Sequence, residues 1–251
     1  MRLLLHQLRA EQRLYWRSRE LAFFTFLFPV LIFVLLGSVY GDDVISSEGV
    51  KGSAYLLAGI VGYGVASTAF AGLAIVVVIR RETAILKRLR GTPLPAPTYV
   101  GALIASTLIV FAIVAAALIL LARFLFDVPL PSRVGSVVLA LLLGALSFAA
   151  MGLALTTVIR SAEGASAVVN AVYLPASFLS GSFWTPHSYP RFLEVIAETL
   201  PLTYFIRLMR DVMLRDEHIW TNWSSVAVVA AWGLGGLIVA VRGFRWEPRE
   251  G

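Results

Sequence analysis

The sequence contains no cysteine and few charged residues. The absence of cysteine excludes disulfide bonds, thiolate metal sites and cysteine nucleophiles. Charged residues make up 14% of the chain and hydrophobic residues 59%, whereas soluble domains average about 25% charged and about 45 to 50% apolar residues. A water-soluble fold cannot hide that much apolar surface, so we expect the lipid bilayer to be the main solvent.

Groups for catalysis and ATP binding are also lacking. The two lysines, Lys51 and Lys87, stand outside any G-x-x-x-x-G-K-[ST] pattern, so no phosphate-binding loop is predicted. His6, His187 and His218 are far apart in sequence, so no metal site is expected. The long apolar runs contain no ionisable residue, which disfavours both an intramembrane enzyme and a transporter driven by its own ion gradient. Energy for active transport would therefore have to come from another protein.

Six apolar runs are long enough to cross about 30 Å of hydrocarbon, which takes roughly 20 helical residues. They predict spans at 21–40, 54–79, 99–122, 134–159, 165–184 and 222–241. No internal repeat is visible, so an inverted-repeat transporter is not indicated. We expect an all-α protein with a single transmembrane domain over residues 1–251.

The distribution of lysine and arginine predicts the orientation. The N-terminal segment, the loops after the second and fourth spans and the tail carry 14 of these residues, and the other three loops carry seven. The positive-inside rule then places both termini in the cytoplasm of a protein of the inner or plasma membrane. Anionic lipid headgroups account for the net charge of +6 better than nucleic acid does.

Two polar segments have the pattern of amphipathic helices. Residues 2–16 place leucines and Tyr15 on one face and three arginines on the opposite face, which predicts a helix lying in the membrane interface. Residues 203–214 predict a re-entrant helix at the outer face before the last span. Its apolar side is formed by Phe205, Met209 and Val212, and its polar side by Arg207, Arg210 and Asp211.

The loop after the second span contains a third short helix. Ile85, Leu86 and Leu89 form an apolar ridge, with Lys87 and Arg90 on the other side. Glycine and three prolines follow and end this helix. A cytoplasmic apolar ridge needs a cover, which is either the headgroup layer or the groove of a partner protein.

Three segments together resemble the type-2 family of ABC exporter permeases. They are the basic N-terminal helix leading into FFTFLFPVLIFVLLGSVYG, the segment RETAILKRLRGTPL after the second span, and LPLTYFIRLMRDVML before the last span. The resemblance implies a six-span subunit that pairs with a second permease subunit, identical or different, and binds separate P-loop ATPase subunits. ATP and Mg would be bound by those ATPases, with no cofactor in this chain. It also implies export of an amphipathic, drug-like or lipid-like substrate.

The resemblance also assigns roles to residues. The ATPase-coupling helix corresponds to Glu82, Ile85, Leu86, Lys87, Arg88 and Leu89. The second and fifth spans would line the translocation path through Tyr63, Ser67, Phe70, Asn170, Tyr173 and Phe178. Ordinary helix packing remains an alternative for each of these six residues. The alternative functions are a passive channel or scaffold membrane protein and, less favoured, an intramembrane enzyme.

The charge distribution gives the first testable prediction. Reporter fusions at the N-terminus and the C-terminus should both report the cytoplasmic side, because the arginine-rich segments resist translocation. The measurement is alkaline phosphatase and green fluorescent protein activity in whole cells, with a fusion after Lys51 as the control for the opposite side. Termini found on opposite sides would contradict the predicted orientation.

Overall fold

The structure is a computed structural model that describes residues 2–45, 49–183, 189–244 and 247. Trp184 at the end of the predicted fifth span, His187, and the tail arginines Arg245 and Arg249 lie outside the described residues. The helices are α1 (Arg2–Arg17), α2 (Arg19–Tyr40), α3 (Gly52–Val65), α4 (Leu73–Glu82), α5 (Ile85–Arg90), α6 (Ala96–Phe126), α7 (Val134–Leu155), α8 (Ala162–Leu179), α9 (Arg191–Thr199), α10 (Pro201–Leu214) and α11 (Trp223–Gly243). A π-helix, Ala66–Gly72, joins α3 to α4. Two short antiparallel strands, β1 (Val44–Ile45) and β2 (Val50–Lys51), precede α3.

Five helical stretches among the described residues are long and apolar enough to cross a membrane. They are Ala22–Tyr40, Gly52–Glu82, Ala96–Phe126, Val134–Leu155 and Trp223–Gly243. The expectation of an all-α, multi-pass membrane protein is thereby confirmed. The predicted fifth span at 165–184 corresponds to α8, which has 18 residues and is not one of the five stretches. A sixth span therefore stays a prediction.

The second span is the centre of the bundle. Every residue of α3 is buried, and α2, α6 and α10 all pack against it. Small residues allow these close contacts. A Cβ atom at Gly152 of α7, for example, would lie 2.6 Å from the carbonyl oxygen of Phe70 in the π-helix. By contrast, α2 and α11 lie at the periphery and leave large apolar side chains such as Phe23 and Val241 exposed.

Helix α10 corresponds to the amphipathic segment predicted at 203–214. Its Phe205, Met209 and Val212 are fully buried, as expected. The expected hydrated face is wrong for Arg210 and Asp211, which are each only 6% exposed. The reason is that both side chains find partners within the chain, which for Arg210 come from distant segments.

The partners of Arg210 hold α10 to two other elements. Its guanidinium donates to the carbonyl oxygen of Gly181 at 2.6 Å and lies 3.6 Å from the centre of the Tyr55 ring. Asp211 accepts hydrogen bonds from Arg215 at 2.8 Å and from Asn222 at 2.6 Å. Buried charges are tolerated where such partners replace water. Arg210 therefore connects α10 to the start of α3 and to the segment after α8.

Packing between α7 and α10 gives a second prediction. Gly144→Val should destabilise the chain by about 1 to 3 kcal/mol, because a Cβ there collides with the ring of Phe205. Gly135→Val on the same helix is the control, since nothing lies within 4 Å of a Cβ at that position. The measurement is thermal unfolding in detergent. Equal unfolding temperatures for the two variants would show that α10 does not pack here.

Candidate functional site

Two adjacent arginines at the end of the second span form the candidate site. Arg80 and Arg81 belong to the last turn of α4, just before the predicted coupling segment. Successive residues of an α-helix point in directions about 100° apart. The two guanidinium groups therefore reach different neighbours, and between them they contact α1, α6 and the end of α7.

Arg80 joins α4 to α1 and α6. Its two terminal nitrogens donate to the two carboxylate oxygens of Glu11 at 2.9 and 2.7 Å, and one of them also donates to the Tyr99 hydroxyl at 2.8 Å. Glu11 is 4% exposed and accepts a further hydrogen bond from Gln7. Paired, fork-like contacts of this kind are among the strongest that arginine makes. The sequence pattern had not identified Glu11, because it is a single acid on a basic helix.

Arg81 closes the end of α7. It is 2% exposed and donates to the carbonyl oxygens of Thr156 at 2.9 Å and Ile159 at 2.6 Å. Carbonyl groups at a helix C-terminus lack partners within the helix and carry partial negative charge. The guanidinium supplies hydrogen bonds and positive charge to these carbonyl groups. Its remaining nitrogen forms an ion pair with Glu82 at 2.8 Å. Glu82, one of the predicted coupling residues, is thus held against the end of the span.

The predicted coupling segment is two helices separated by a turn, not one helix. Helix α4 ends at Glu82, Ala84 has a positive φ of 57°, and α5 begins at Ile85. Leu86 is fully buried within the chain and Leu89 is half-buried, so neither is a free ridge for a partner. Ile85, Lys87 and Arg88 are exposed. The surface that α5 offers is therefore one apolar side chain beside three cations, since Arg90 is exposed as well.

Three of the six predicted path residues belong to one aromatic cluster. The ring of Tyr63 lies 5.4 Å from that of Tyr173 and 5.0 Å from that of Phe183, and Phe178 lies 5.3 Å from Phe183. Phe28 of α2 extends the cluster at 6.2 Å from Tyr63. Phe183 and Phe28 were not predicted. Nothing in the sequence periodicity separates them from neighbouring lipid-facing phenylalanines.

The other three path residues lie elsewhere. Ser67 and Asn170 line a cavity of about 410 Å³ between α1, α2, the second span and α6. Phe70 is buried where the π-helix packs on α7, which is a packing position. Burial raises the pKa of the Tyr15 phenol where α1 borders the cavity, so this group stays neutral. Within the described ranges, no group of three His, Asp or Glu side chains is arranged to hold a metal ion.

The sequence comparison decides the family. A profile of the family described as "ABC-2 type transporter" matches residues 2–214, which include α1, the arginine pair, α5 and α10. The chain belongs to this family. The resemblance drawn from the three sequence segments is confirmed.

Two relatives match part of the chain. ABC transporter G family member 20 of Dictyostelium discoideum is 29% identical over 126 residues, which are 49% of this chain and 17% of that protein. Inner membrane transport permease YhhJ of Escherichia coli is 25% identical over 138 residues, which are 55% of this chain and 37% of that protein. The matches thus span well under half the length of either relative.

The arginine junction gives a third prediction. Glu11→Gln should destabilise the chain by on the order of 3 kcal/mol, because it leaves the charge of Arg80 without its counter-ion in a largely buried position. The double variant Glu11→Gln/Arg80→Gln should cost less than the sum of the two single changes. The measurement is chemical unfolding in detergent.

The exposed pair Arg123–Asp127 provides the matched control. Arg123→Gln should cost less than about 1 kcal/mol, since exposed ion pairs contribute little. Additive effects of the Glu11 and Arg80 substitutions would show that the two side chains do not interact.

Proposed function

We propose that this chain is the membrane permease subunit of an ABC exporter, powered by separate P-loop ATPase subunits. The substrate is an amphipathic, drug-like or lipid-like molecule that leaves the cytoplasm or the inner leaflet. The observation that carries the proposal is the arginine pair, which links the end of the second span to α1, α6 and α7. Family membership supports it, and the relative from Escherichia coli is named an inner membrane transport permease.

The proposed topology has six spans, both termini in the cytoplasm and α10 re-entrant at the outer face. Contacts of the described residues agree with it. Arg80 and Arg81 bring α1, the start of α6 and the end of α7 to one face. Arg210 and Arg133 bring α10, its following loop and the starts of α3 and α7 to the other face. Helix α8 runs between these two faces and is the proposed fifth span.

The proposed contact with the ATPase is α5. Ile85 would enter an apolar groove of the partner, and Lys87 and Arg88 would meet acidic groups at its rim. Leu86 would transmit the movement, because a fully buried side chain in a close-packed interior cannot shift without its neighbours. Glu82 and Leu89 would hold α5 to the span.

The proposed translocation path follows the aromatic cluster of Tyr63, Tyr173 and Phe178. Phe178 is 61% exposed and therefore open to a substrate or to a second permease subunit. Aromatic and aliphatic walls suit an amphipathic substrate, since burial of apolar surface is the dominant favourable contribution. ATP and Mg would be bound by the ATPase.

The proposal predicts that Ile85→Asp abolishes binding of the ATPase and transport-linked ATP hydrolysis. The buried apolar contact would be replaced by a desolvated carboxylate, which should weaken binding by about 2 kcal/mol or more. The measurement is pull-down of a co-expressed ATPase together with ATP turnover in vesicles.

Arg90→Ala is the control, since the exposed Arg90 pairs only loosely with Glu247 at 3.7 Å and should change binding by less than about 1 kcal/mol. Leu86→Asp is unsuitable as the main test, because Leu86 is buried within the chain and its loss should impair folding. Normal coupling in Ile85→Asp would leave a passive channel or scaffold as the better interpretation.

A further inference from the structure

The cavity beside α1 has the walls of a lipid-chain site. It is lined by apolar side chains from four elements, among them Leu14, Phe24, Phe28, Val110 and Val114. Its volume of about 410 Å³ lies in the usual range for small-molecule sites. The lining residues of α6 run from Leu103 to Val114, which is about 16 Å along the helix axis. The cavity is therefore long enough for an extended hydrocarbon chain.

On the side of the wall formed by the π-helix and α6, three hydroxyl groups are already engaged. Thr68 donates to the carbonyl oxygen of Gly64 at 2.7 Å, and Thr107 donates to that of Leu103 at 3.0 Å. Ser106 accepts a hydrogen bond from Gln12 at 2.9 Å. A polar ligand such as a sugar would find few free partners along this side of the wall. The chemistry favours an apolar occupant.

The cavity is open on the side of the membrane. Leu14, Phe24 and Phe28 are 56, 64 and 47% exposed although they line it. Helix α2, which carries two of them, has few buried residues along its length. An acyl chain of the surrounding leaflet can enter between α1 and α2 without crossing water.

Arginine side chains of α1 lie next to the entrance of the cavity. Arg13 and Arg17 lie with His6 and Arg9 along one stripe of α1, and this stripe borders a second hollow that shares Leu14 with the cavity. In the part of the chain that the structure describes, neither Arg13 nor Arg17 forms an ion pair. The carboxylate that lines the cavity, Glu11, is held by Arg80. The entrance therefore favours an anionic headgroup.

We propose that this cavity binds one acyl chain of an anionic phospholipid from the leaflet in which α1 lies, with the lipid phosphate against the guanidinium groups of Arg13 and Arg17. The apolar wall selects the chain, and the arginine stripe of α1 selects the headgroup. The inference goes beyond the proposed export function. It requires that α1 lies on a membrane surface and does not require that the chain transports anything.

The test places a large side chain in the cavity by substituting a residue of its wall. Gly72 lines the cavity, and a Cβ there meets only the carbonyl oxygen of Ser67, at 3.5 Å. Gly72→Phe should therefore occupy the space without displacing the backbone. Gly235→Phe is the matched control, because Gly235 lies on the exposed face of α11 with nothing within 4 Å of a Cβ. Val76→Phe fills the same cavity from the next turn and serves as a second variant if Gly72→Phe is not recovered folded.

The probes are phosphatidylglycerol and phosphatidylcholine with identical acyl chains, offered together in mixed nanodiscs to the purified full chain without any ATPase. Native mass spectrometry counts the lipids retained after release. The parent and Gly235→Phe should retain one phosphatidylglycerol in preference to phosphatidylcholine, and Gly72→Phe should lose it. Retention by Gly72→Phe equal to the parent, or equal loss in Gly235→Phe, would overturn the acyl-chain site.

A second pair of variants tests the headgroup. Arg13→Ala/Arg17→Ala should still retain a lipid, but its preference for phosphatidylglycerol should fall about tenfold, because two surface cations are lost. Arg123→Ala/Arg191→Ala, which removes two exposed arginines elsewhere, should leave the preference unchanged. An unchanged preference in the first variant would overturn the phosphate contact. Since no ATPase is present, failure here is distinct from failure of the export proposal.

Discussion

The paired hydrogen bonds between Arg80 and Glu11 connect α4 to α1 through a contact that is largely removed from water. Helix α1 packs along α6 and turns a basic face outward, and Glu11 is its one fully buried residue. A buried guanidinium and a buried carboxylate are each costly alone, and their mutual contact offsets that cost. The position of α1 against α4 and α6 therefore depends on this pair together with the hydrogen bonds from Gln12 to Ser106, and so does the cavity that these helices enclose with α2.

The neighbouring Arg81 fixes the end of α7 in a similar way. Its guanidinium satisfies the carbonyl group of Thr156 at the end of α7 and that of Ile159 in the segment that follows. The two arginines are consecutive, so any rotation or shift of α4 moves both sets of contacts together. At the other end of the second span, Arg210 connects α10 to Tyr55 of α3. The second span is thus tied at both ends to elements that lie outside it.

The sequence predicted most of what depends on local pattern. Apolar runs located the five stretches that are long and apolar enough to span a membrane, and helical periodicity located α1, α5 and α10. It could not predict pairings between distant positions. Glu11 and Arg80 are 69 residues apart, and Arg210 reaches Gly181 across 29 residues. For this reason Arg210 was predicted to lie on a hydrated face, and Leu86 to be covered by headgroups or a partner protein. Amphipathic periodicity shows which residues share a face but not which neighbours cover it.

The turn at Ala84 interrupts the helix between the second span and α5. A non-glycine residue in the left-handed region costs about 1 to 2 kcal/mol, so the surrounding contacts must impose this geometry. They are the burial of Leu86 on one side and the contact of Glu82 with Arg81 on the other. A continuous helix over the same residues would carry Ile85 away from its present exposed position. The turn instead holds α5 against the bundle with Leu86 inward and Ile85 outward.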